Sequence, residues 1–256
     1  MLSLGTETGI KKPGFITSIW YLGEERPGLQ CKDTDIMEYS KSYFEKVFST
    51  ERMGRYFKIH KDEQRAILHY QSNIELAESF YPSLSIVEVA LRNAISRELA
   101  IMAGREDWYA IFQTTPALNS LNRYITQATK QILSRHEVVT PSKIISELTL
   151  GFWVSLFNAE YELILWKSLR RAFPYLSKSD RKRKTVSAPL NSFRAFRNRV
   201  FHHESICWNM ARITQIHNEL YMVMGWINKD LPEWALSVDR VEETKHIIRQ
   251  RFGWRY

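Results

Sequence analysis

Cysteine is scarce in this sequence. Cys31 and Cys207 are far apart, so they build neither a disulfide framework nor a metal site, and a reducing cytoplasm is the expected setting. Long apolar runs are also missing: none approaches the ~20 residues of a membrane span, and no membrane partner is expected. The N-terminal stretch MLSLGTETGIKKPGFITSIWYLG is broken by Lys11, Lys12 and Pro13, which argues against a secretory signal. There is no phosphate-binding glycine loop and no G-x-S-x-G turn. His60, His69, His136, His217 and His246 are scattered without zinc-site spacing, so neither a metal nor another cofactor is expected. No segment alternates with period two over a useful length, and repeats and low-complexity tracts are absent.

What is present suits a helical domain. The 256 residues are 44% hydrophobic, enough for one sizeable core or two modest ones. Net charge is +8, which favours polyanionic partners, because each cation that neutralises a phosphate releases counterions. Eight tryptophans serve mostly as core anchors. Trp153 and Trp166 sit at apolar helical spacing and are assigned to the core.

Residues 1–36 read as a loose N-terminal arm, and 37–256 as one helical domain. Helical spacing runs through 35–49 and 61–81. The stretch 82–104 is the clearest helix, with Pro82 near its start and Gly104 past its end. Further helices are predicted after Pro116, from Thr140–Pro141 through 158, over 161–173, over 190–205 after Pro189, over 207–228, and over 243–252. The fold class is all-α, a bundle of long helices.

The segment FRAFRNRVFHHESI (193–206) concentrates three phenylalanines, three arginines and two adjacent histidines. At about 100° per residue, Phe193, Phe196 and Val200 share one arc, while Arg194, Arg197, Asn198 and His202 share the opposite one. Phe201 intrudes on the polar arc. Asn198 and His202 are i,i+4 neighbours, so the amide is expected to orient the imidazole. A guanidinium suits a phosphate, and an imidazole moves protons near neutral pH. Together they supply what RNA cleavage by its own 2′-OH needs: base, cation and acid, with no metal required. A solvated helix face carrying a chance His–His pair has the same composition. Arg197 and His202 lie about 140° apart, so a complete cleft would need two copies of the helix across a two-fold axis.

RNRVFH (197–202) resembles the R-N-x-x-x-H motif of the HEPN superfamily of α-helical ribonucleases. FRNRVFHHE resembles the extended signature of its Abi-like (abortive-infection) family. FYPSLSIVEVALRNAISREL (80–99), GREDWY (104–109), ELTLGFWVSLF (147–157) and LWKSLRRAFP (165–174) are similar to that family's preceding blocks, in order. The resemblance runs from about Tyr39 to about Ile227 and leaves 1–36 without a counterpart. It implies a HEPN-like bundle with additional helices. It also implies a homodimeric, metal-independent endoribonuclease of phage defence or a toxin–antitoxin pair, leaving 2′,3′-cyclic phosphate ends, with a cognate RNA controlling some relatives. Arg197, Asn198 and His202 match the motif, and His203 and Glu204 its extension.

Glu88, Arg92 and Asn93 lie on the 82–104 helix. Glu88 and Arg92 are spaced to pair. The cluster is expected either to face the motif helix and orient Arg197 or His202, or to act as a helix–helix ion pair. The basic segment with Lys178, Arg181, Lys182, Arg183 and Lys184 is read as a loop that either tracks an RNA backbone or is merely solvated. Arg194 joins it as a candidate RNA contact. The rival function is a non-catalytic protein that holds a regulatory or guide-like RNA, and a purely scaffolding helical protein is the third reading.

Overall fold

The computed structural model describes residues 40–253, and every regular element among them is helical. In chain order these are α1 Lys41–Phe48, α2 Thr50–Ile59, α3 Glu63–Ser79, α4 Tyr81–Ala103, α5 Ile111–Thr114 and α6 Asn122–Ser134. There follow α7 Pro141–Glu147, α8 Leu150–Ser155, α9 Glu162–Leu169, α10 Arg183–Phe201, α11 Met210–Ile227, α12 Leu231–Leu236 and α13 Val241–Phe252. The all-α expectation holds. The arm over 1–36 lies outside the described residues. No described helix is long and apolar enough to cross a membrane.

Local chemistry places several boundaries. Pro82 opens α4, and Gly104, at φ 67°, closes it in the left-handed conformation that glycine adopts without a Cβ clash. Leu84, Val87, Leu91, Ile95 and Leu99 recur at helical spacing along α4, and all are buried. Asp62, Thr140 and Asn209 cap α3, α7 and α11 by accepting amide hydrogens of their first turns.

Four readings are corrected. The helix expected across 140–158 is two, because Leu148 turns extended and the Thr149 hydroxyl accepts the Phe152 amide, starting α8. The helix expected over 190–205 begins at Arg183, passes through Pro189 and stops at Phe201. Arg183 and Lys184 therefore sit in its first turn and not in a loop. The short helices α2 and α12 escaped the periodicity reading altogether. Ile74, one of the apolar residues whose helical spacing marks the stretch 61–81, does not pack inward and is exposed on α3.

The buried side chains form one hydrophobic cluster. Helix α4 packs against α11, α8 and α9, α10 packs against α11 and α8, and α3 lies between α2 and α13. Trp153 is buried and Trp166 packs partly buried against the cluster.

Polar groups inside the bundle are paired. Asn73 Oδ1, 3% exposed, accepts the amides of Ile206 at 2.7 Å and Cys207 at 3.2 Å. His69 bridges His60 at 2.9 Å and the Cys207 thiol at 3.3 Å. Asp239 accepts from Tyr221, Ser83 and the His217 ring. Burial opposes its charge, but the His217 ring, the Val241 amide and the Tyr221 hydroxyl hold its carboxyl at about 2. Lys245, 1% exposed, donates to Thr214 and Glu242.

Two outcomes follow from these pairs. Asn73→Ala leaves two buried amides without an acceptor and should destabilise the protein by about 2–4 kcal/mol, read by urea unfolding. Burial first, then the charges of His60 and Arg55, pushes His69 from 6.5 to about 4. The unfolded chain thus binds a proton that the folded chain refuses. The stability this group contributes is full above 6.5 and is lost as pH falls towards 4. Urea midpoints between about pH 7 and pH 5 should fall in the native protein and fall less in His69→Gln.

Candidate active site

The motif lies on the last turn of α10, where the helix ends without glycine. The Glu204 amide donates to Arg199 O at 2.9 Å, and the His203 amide to Val200 O at 3.0 Å. His203 takes φ 57°. These two bonds and the left-handed residue make a Schellman turn. His202 is the C-cap, its amide bonded to Asn198 O at 2.8 Å. His203 and Glu204 have left the helix and belong to neither arc of α10.

The turn is gripped from two sides. Arg52 of α2 donates to the His203 carbonyl. Tyr56 Oη donates to Ser205 Oγ at 2.8 Å. Asn73 then holds the two following amides from α3. Within the turn, Arg199 pairs with Glu204 at 3.2 Å and donates to Ser205 O at 2.5 Å.

The predicted arcs are visible. Phe193 and Phe196 are buried, and Phe196 meets Phe80 edge-on at 4.7 Å. Arg194 and Arg197 are half-buried, while Asn198 and His202 are exposed. Arg197 Nε lies 3.3 Å from Glu88 Oε2 of α4, and its guanidinium sits 4.1 Å over the Phe201 ring. The intrusion of Phe201 on the polar arc thereby has a physical reason: its face carries the Arg197 cation. Both partners of the ion pair are roughly 30% exposed, so it contributes about 0–1 kcal/mol. Its effect is to aim the guanidinium.

Other candidates fall elsewhere. Glu88 does not pair with Arg92, whose Nε instead points to Asn93 Oδ1 at 3.4 Å. The Asn198 amide makes no hydrogen bond to the His202 ring among the described residues, so the expected orienting contact is absent. Arg181 donates to the carbonyls of Leu176 and Pro174, and Arg183 to Phe157 O and Glu162. Those two arginines tie the entry to α10 and its first turn to neighbouring segments. Lys178, Lys182 and Lys184 are exposed.

Periodicity missed Arg52, Arg55 and Trp208 beside the motif. The signal was there in ERMGRYFK (51–58), where arginines alternate with Met53 and Tyr56, both fully buried. Gly54 inside the stretch weakens its helical signature.

No group among the described residues has three or more His, Cys, Asp or Glu side chains placed to hold a metal ion. His203→Gly should relieve the left-handed strain and raise stability by about 1 kcal/mol, seen as a higher Tm.

Comparison with family models, curated proteins and solved structures finds no match for this chain.

Proposed function

We propose that this chain is a metal-independent endoribonuclease of the HEPN type, from the Abi-like family, acting in the cytoplasm in phage defence or as a toxin of a toxin–antitoxin pair. Arg197 stabilises the negative charge that builds on phosphorus during 2′-OH attack. His202 moves the proton. Glu88 and Phe201 position Arg197. Two copies meet so that two motifs form one cleft, and the products carry 2′,3′-cyclic phosphate and 5′-OH ends. The reading rests on the R-N-x-x-x-H resemblance. The observation that carries it is an arginine aimed by Glu88 and Phe201 at the exposed end of α10, with His202 capping the same helix. In one copy the Asn198 amide makes no hydrogen bond to the His202 ring among the described residues. This exposed amide is left for RNA or for the second copy.

One observation favours a second reading. The His202 ring has no hydrogen-bonding partner among the described residues that would set its tautomer. A protein that holds a regulatory RNA without cutting it would need none. End-group analysis separates the two readings. Purified protein should cut single-stranded or looped RNA in EDTA and leave cyclic phosphate ends. Arg197→Ala and His202→Ala should each slow cleavage by about 100-fold or more with the fold intact by circular dichroism. Undiminished cleavage by His202→Ala overturns the assignment, and RNA recovered whole after long incubation supports the holding protein.

A further inference from the structure

Between the start of α2 and the turn after α10 lies a pocket of about 490 Å³, lined by Arg52, Arg55, Arg199, Trp208, Glu51 and Glu204 among others. Its size is within the ordinary range of ligand sites. Its charges are unequally occupied. Glu204 is paired with Arg199, which also serves the Ser205 carbonyl. Glu51 lies in the first turn of α2, where its own backbone amide and Ser49 hold its carboxyl below the usual range. Arg52 donates to the His203 carbonyl.

Arg55 differs. Its guanidinium makes no hydrogen bond to the described residues, yet it is not loose. It lies 4.1 Å over the Trp208 ring, and Trp208 in turn packs 4.6 Å from Tyr56. A stacked guanidinium keeps its N–H fork pointing outward in a set direction, with little rotamer freedom left to lose on binding. Arg52 and Arg199 line the same pocket, with donors beyond those already used. A planar fork in a concave, three-arginine setting matches the oxygens of a phosphate.

The pocket and the motif share one turn. Arg52 holds the carbonyl of the residue after His202, and Arg199 lies on α10 within the motif itself. The pocket lining and the motif therefore meet in the residues around the turn after α10. We propose that this pocket binds a backbone phosphate of single-stranded RNA flanking the one presented to Arg197 and His202, with Arg55 as its main contact. The proposal rests on the RNA reading above for its ligand, but not on cleavage.

The test uses the full chain and a short fluorescent RNA with 2′-O-methyl groups, which lacks the attacking hydroxyl. Anisotropy across a salt series is read for the native protein and Arg55→Gln. Loss of one phosphate contact should lower the slope of log affinity against log salt by about 0.7 and weaken binding by about 5–10-fold at moderate salt. Equal melting temperatures exclude a folding defect, and Arg55→Lys serves as a second variant, keeping the charge but losing the fork. Unchanged affinity and slope in Arg55→Gln overturn the proposal, as does native protein with no affinity for the RNA. Calorimetry with inorganic phosphate distinguishes the source: Arg55-dependent uptake of phosphate alone, with RNA affinity untouched by the variant, replaces the strand by a free anion and overturns it as well. Cleavage of the all-ribose RNA is scored separately. Cutting with Arg55-independent binding sinks the pocket and leaves the nuclease standing, and Arg55-dependent binding without cutting does the reverse.

Discussion

The chain leaving α10 has to bury two backbone amides, those of Ile206 and Cys207, in a place where no helix or strand supplies an acceptor. Asn73 Oδ1 accepts both. A buried unpaired amide costs about 1–3 kcal/mol, so the position of residues 202–207 is set by where α3 presents that one oxygen. The consequences spread outward from there. With the two amides fixed, the Schellman turn has a defined exit. Arg52 and Tyr56 can then reach the same turn from α2, and the wall of the arginine pocket forms. The motif's surroundings thus depend on an asparagine more than a hundred residues earlier in the chain.

Charge at the site is a matter of aim more than of energy. The Glu88–Arg197 pair is about a third in solvent and weak as a stabiliser, and the Phe201 face adds about 0.5–1 kcal/mol at such exposure. Together they restrict a side chain with many rotamers to one region. The net positive charge of the sequence is a poor guide to which cations are available. Arg181 and Arg183 donate to carbonyls and to Glu162, while Arg199 gives part of its fork to Glu204 and Ser205, and Arg52 part of its own to His203. Arg55, on Trp208, is the arginine of this neighbourhood that is oriented without being hydrogen-bonded among the described residues.

Much of the fold was legible because local rules and packing agree. Helix α4 carries its own start and stop signals and a continuous apolar face, and Thr140 announces α7 through its hydroxyl. The sorting of α10 into a phenylalanine arc and an arginine arc was likewise readable from about 100° per residue. Two features were not. A proline normally marks a helix boundary, because it lacks the amide that would bond four residues back. Here Val186 and Leu190, both buried, hold the helix on either side of Pro189, and tertiary packing overrides the local penalty. At the other end, the stop at Phe201 depends on His203 taking a conformation usually left to glycine. The missing Asn198–His202 contact was out of reach for the same reason. An i,i+4 argument assumes the helix continues, and His202 is already its cap.

Helix α10 is tied down at both ends. Arg183 clamps its first turn to Glu162 and the Phe157 carbonyl, and the 202–207 turn clamps its last to α2 and α3. A rod fixed at two points has lost its sliding and rolling degrees of freedom. Anything that approaches the exposed arc of this helix, whether a nucleotide strand or a second copy, meets a surface already cast in shape, and the adjustment on contact has to come from the visitor or from side chains alone.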